Sequence, residues 1–190
     1  SSFTHIEINP LGGFYVLGRY DYVHHLMEGV QLQYEPSSHT YDHRFLASFD
    51  SNFSLSFVKE IFYDDSSAGQ ASINRLLVDN LGNSYIVGEW PNCVSSCVEI
   101  GGSFVSGTSY CSTSAWNQKC DHIFISKISS SGTLQWTNTP EGVTGSYVDS
   151  VTLSSDEILI YGHISSPCSS NTNSCNSYVR FGSNNDYFYL

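Results

Sequence analysis

The sequence predicts an all-β chain made of tandem four-stranded units, and three observations carry that prediction. Short runs of β-branched and aromatic residues alternate with polar turns along the chain, and no stretch shows a helical period with caps. The chain also repeats itself: Ile73 to Gly88 (INRLLVDNLGNSYIVG) aligns without a gap on Phe3 to Gly18 (FTHIEINPLGGFYVLG), 70 residues earlier. A different module recurs as well, with Asp121 to Trp136 (DHIFISKISSSGTLQW) aligning on Asp42 to Phe57 (DHRFLASFDSNFSLSF).

Each copy of the first module reads as two strands, a and b, around a tight turn. In the second copy the turn is Asp79-Asn80-Leu81-Gly82-Asn83, where Gly82 or Asn83 supplies the positive φ such a connection demands. A third copy, Ser150 to Gly162 (SVTLSSDEILIYG), fits with a turn one residue shorter. The second module alternates apolar and polar residues on both sides of a turn at Asp50 to Phe53 or Ser129 to Gly132, so it is a further hairpin, c and d. It begins again at Asp186 to Leu190 (DYFYL), which places the last unit's strand c at the end of the sequence.

One unit is therefore a, turn, b, variable loop, c, turn, d. That is the design of a propeller blade, whose faces are buried only by neighbouring blades. The expected organisation is a single repeat domain over residues 1–190, with blade 1 at about 3–60, blade 2 at about 73–138 and an incomplete blade 3 at about 148–190. The middle copy resembles the bacterial and archaeal β-propeller repeat proteins of the seven-bladed type. The resemblance is carried by Asp79, Gly82, Asn83, Tyr85, Val87, Gly88, Asp121, Ile123, Phe124, Lys127, Gly132 and Trp136. Elsewhere Asn9 replaces the turn aspartate, Ser48 the lysine and Asp156-Glu157 the Gly-Asn pair. The resemblance implies a surface or secreted scaffold and brings no catalytic residue with it.

With 7 Lys and Arg against 18 Asp and Glu, the formal charge is −11, which repels phosphate backbones and anionic lipid. Nucleic acid is excluded as a partner on this ground. No apolar run approaches the length that spans a bilayer, so no membrane insertion is expected. Charged residues are only 13% of the chain, so uncharged hydrogen-bonding groups must cover much of the surface. The six cysteines, Cys93, Cys97, Cys111, Cys120, Cys168 and Cys175, form an even set in the polar b–c loops and read as disulfides. Their spacing favours Cys93–Cys97, Cys168–Cys175 and Cys111–Cys120 among the fifteen connectivities. Together these features predict an extracellular or cell-surface location.

Chemistry is sparse. The adjacent carboxylates Asp64-Asp65 and Asp156-Glu157 point different ways on extended chain, and no Gly-x-Ser-x-Gly elbow or His-Glu-x-x-His motif is present. No catalytic residue, cofactor or metal site is predicted. The repeated Asp42, Asp121 and Asp186 read as strand caps, and His43 and His122 share one repeat position. Trp90, Tyr110 and Trp116 are the candidate ligand-binding residues, suited to stacking on sugar rings. Asn52-Phe53-Ser54 is an acceptor triplet for N-linked sugar.

Three blades are fewer than a closed propeller typically has, and open strand edges invite pairing. A longer parent chain, a ring completed by two chains, or an open head-to-tail polymer each resolves this. The expected function is an extracellular structural or adhesive repeat protein, a filament or surface-layer subunit that self-associates through blade-to-blade contacts. The alternative is a lectin-like module that binds glycans through the cysteine-bearing loops.

Overall fold

A computed structural model of the chain describes residues 2–20, 26–27, 29–32, 43–63, 72–90, 98–105, 122–138, 146–154, 157–164, 175–176 and 179–182. The described residues are strands and turns, as the alternating patterns require. The first stretch holds β1 (Ser2–Ile8), β2 (Phe14–Tyr20), β3 (Leu26–Met27), β4 (Val30–Gln31), β5 (His43–Phe49) and β6 (Leu55–Tyr63). The second holds β7 (Ser72–Val78), β8 (Ser84–Trp90), β9 (Val98–Ile100), β10 (Ser103–Val105), β11 (His122–Ile128) and β12 (Leu134–Asn138). The third holds β13 (Ser146–Ser154), β14 (Glu157–Ile164), β15 (Cys175–Asn176) and β16 (Val179–Gly182).

The predicted order a, b, c, d is the strand order β1-β2-β5-β6 of the first sheet and β7-β8-β11-β12 of the second, antiparallel throughout. Two features depart from four strands per unit. The first sheet has six strands, because β9 of the second unit pairs along β6 with Ile61 opposite Ile100, and β10 follows it. In the third unit strand c is β16, which pairs with β14 from Ile160↔Val179 to Glu157↔Gly182. It therefore lies upstream of the expected start at Asp186, and residues 186–190 fall outside the described ones.

The four described turns that join strand a to b or c to d share one backbone solution. At 9–13, 50–54, 79–83 and 129–133 the first amide bonds the fifth carbonyl, and the fourth amide bonds the first carbonyl. This is a three-residue loop whose last residue must be left-handed. Gly12, Gly82 and Gly132 fill that place with φ of 109°, 75° and 83°, whereas the remaining turn has Phe53 at 66°. The leading Asn9, Asp50 or Asp79 accepts the amide two residues on through its side chain, and Ser129 Oγ accepts the amide of Thr133. A bulge also recurs near the start of strand a, at Thr4, Asn74 and Asp149.

The sheets stack face to face and the core lies between them. Tyr15, Leu17, Leu46 and Ile61 of the first sheet meet Ile73, Leu76, Ile86, Phe124 and Ile128 of the second. On the other side of the second sheet, Tyr85, Val87, Ile123 and Ile125 meet Val151, Ile158 and Ile160 of the third. Polar contacts cross the same gaps. Tyr15 Oη donates to the Gly82 carbonyl at 2.6 Å, and the Val148 amide donates to Glu89. The glycine of strand b in the first two units admits an aromatic ring, with Phe45 lying on Gly18 and Phe124 on Gly88.

Candidate functional site

The motif residues of the middle copy converge on one buried polar cluster. Asp79 opens the β7–β8 turn, and its Oδ1 accepts the amides of Leu81 and Asn83 at 3.0 and 2.8 Å. Its Oδ2 accepts Asn83 Nδ2 at 2.8 Å and Tyr85 Oη at 3.0 Å. Lys127, from the neighbouring β11, sits 3.7 Å from the same oxygen and 5.1 Å from the centre of the Tyr85 ring. Trp136 leans on that ring at 6.1 Å between centroids. Both Asp79 oxygens are engaged by the turn and by Tyr85 and Lys127 of the two adjacent strands, so the cluster ties the turn to β8 and β11.

This arrangement makes stability depend on pH. Burial pushes the Asp79 carboxyl up, but hydrogen bonds from the Asn83 side chain and amide, the Tyr85 hydroxyl and the Leu81 amide outweigh it and hold the group below its ordinary value. A depressed carboxyl stabilises the fold above about pH 4, and that contribution disappears as pH falls through the folded-state value. In Asp79→Asn an amide nitrogen facing Asn83 Nδ2 and Tyr85 Oη would set donor against donor. The expected loss is about 2 kcal/mol at pH 7, read as a lower melting temperature, with a shallower fall in stability below pH 4. An unchanged acid limb would show that Asp79 is not the group responsible.

The first unit uses the same positions differently. Asn9 stands for Asp79 and Ser48 for Lys127, and Tyr15 directs its hydroxyl across to the next sheet. His43 is buried with its ring 5.2 Å from that of Tyr20, inside the first sheet.

Of the residues singled out from the sequence, Asn52 is exposed in the β5–β6 turn, where its side chain faces solvent. Trp90 belongs to β8 and Cys175 to β15, with their backbones alone described. Cys93, Cys97, Cys111, Cys120, Cys168, Tyr110 and Trp116 lie outside the described residues, as do Asp42, Asp121 and Asp186. Among the described residues, no group of three or more His, Cys, Asp or Glu side chains is placed to hold a metal ion.

The feature that sequence reasoning missed is a face. Phe3, Ile6 and Ile8 of β1 pair with Gly18, Val16 and Phe14 of β2, so all of them lie on the side of the first sheet turned away from the second. Their repeat equivalents Ile73 and Leu76 are 4% and 1% exposed, and Val151 in the third unit is 8% exposed. Phe3, Ile6 and Ile8 are 68%, 61% and 72% exposed. Leu32 covers Tyr20, Phe45 and Ala47 farther across this face, leaving the β1 side open. Phe53, beside Phe14, extends the exposed apolar surface at the β5–β6 turn. The signal for this face was present in the alignment, because its apolar positions match those that form a buried joint elsewhere.

Compared with protein-family models, with curated proteins and with solved structures, the chain finds no match. The functional reading therefore rests on the residues and faces described above.

Proposed function

We propose that this chain is an extracellular structural or adhesive repeat protein, its units propeller-like blades, whose work is assembly through blade-to-blade contacts into a filament or surface layer. One observation carries the reading: the positions that bury the second and third sheets against a predecessor form an open apolar surface on the first. A contiguous exposed apolar surface marks an interaction site more often than chance exposure does. The low charge content, the even set of loop cysteines and the exposed acceptor Asn52 support the compartment. The polar cluster at Asp79 supports a scaffold role, since its groups are occupied with one another.

Electron microscopy of the native material, with intact-mass measurement of its chain, tests this. Regular filaments or sheets with a subunit repeat are expected. Discrete particles of one chain at all concentrations would overturn the proposal.

A further inference from the structure

We propose that the open face of the first sheet receives the far face of the third sheet of a second copy of this chain, head to tail. This rests on the assembly reading above and names the two surfaces that meet. Inside one chain the joint between units is built twice from the same positions: a forward face bearing Tyr15 or Tyr85, and a receiving face bearing Leu76 or Val151. In the third unit the forward position is Leu159, which lies on β14 opposite Thr152 and is 39% exposed. In the first unit the receiving position is Ile6. Among the described residues, Leu159 at the forward position and Ile6 at the receiving position of the same joint are therefore both exposed.

The turns show the same complementarity. Gly82 sits under Leu11 and the Asn9 side chain of the preceding unit, and an added Cβ would lie 2.9 Å from Leu11. Gly12 holds the equivalent place, and among the described residues an added Cβ there would meet only Ser51 of its own sheet, at 3.8 Å. Among the described residues, the seat that a preceding turn occupies on the second unit is uncovered on the first. At the rim, Phe53 keeps a left-handed backbone where the next unit has Gly132, with its ring exposed beside Phe14 at 5.6 Å. A bulky residue with positive φ and little burial is costly for a lone subunit, and a neighbour would cover it.

The surfaces are different, so the contact is heterologous and continues from copy to copy unless it closes into a ring. The charge of −11 opposes association, so added salt should strengthen it. The hairpin β3–β4 repeats β9–β10, with Gly29 at φ 82° matching Gly102 at 86°.

Two substitutions and their mixture decide the matter, each made in the full 190-residue chain and followed by sedimentation velocity in about 0.5 M salt. Ile6→Asp removes the receiving face and Leu159→Asp the forward face; both residues are exposed, and circular dichroism verifies that each variant folds. Each alone should bind its own kind more than a hundredfold more weakly than the unaltered chain does. Mixed, they should form a heterodimer that stops at two chains, because one partner keeps a forward face and the other a receiving face. Assembly of either variant like the unaltered chain, or no pairing on mixing, overturns the joint and leaves the assembly reading standing. An unaltered chain that stays monomeric overturns both.

Discussion

Leu76→Asp is expected to unfold the protein at 25 °C, whereas Ile6→Asp, at the same place in the repeat, should leave stability nearly unchanged. Leu76 is almost fully enclosed between the first two sheets, among Tyr15, Leu17, Ile86 and Phe124. A carboxylate there loses the burial of the leucine and has no cation or amide donor in that cluster to replace water. The combined cost is on the order of 5 kcal/mol, comparable to the whole stability of a marginal domain. Ile6 faces solvent, so the same change should cost within about 0.5 kcal/mol. Urea titrations of both variants followed by circular dichroism make the comparison. Equal losses would mean that the two positions are equally buried, and the proposed receiving face would not exist.

The second large effect is expected at Phe124. Its ring is fully buried and lies over Gly88, where an added Cβ would come within 2.4 Å of the ring and within 2.4 Å of the Ser72 carbonyl. Phe124→Ala should cost about 4 kcal/mol, since the ring fills the space between the first two sheets and the backbone around it is held by pairing on both sides. Gly88→Ala should cost about 3 kcal/mol by overpacking. The double variant should lose less than the two separate losses together, by about 1 kcal/mol, because removing the ring relieves half of the clash and leaves the carbonyl. Strict additivity in denaturant midpoints would show that the ring and the glycine do not share this space.

Much of the fold was legible because its determinants are local. The alternation in Tyr15, Val16, Leu17 and in Tyr85, Ile86, Val87 assigns residues to opposite faces, and the turn residues announce four of the hairpins. What escaped depends on partners distant in sequence. Nothing near Val98 to Val105 says that this hairpin lies along β6, because pairing between strands of different units has no period to detect. In the third unit Val179 and Phe181 pair with β14 ahead of the Asp186 motif, in a run too short for its alternation to announce a strand. The exposed face was hidden for the converse reason. Phe3, Ile6 and Ile8 have the same apolar character as Ile73, Leu76 and Val78, and only the stacking order separates an interior surface from an exterior one.

The strand that the second unit lays along the first also sets a timetable for synthesis. Ile61 must wait for Ile100, 39 residues later, before the outer edge of β6 is paired. At about 5 to 20 residues per second, that edge stays bare for roughly two to eight seconds on each nascent chain. Neighbouring chains on one messenger present the same bare edge during the same interval, so the spacing of ribosomes, and any slow stretch of message between these two strands, bears on whether β6 pairs within its own chain or with the next.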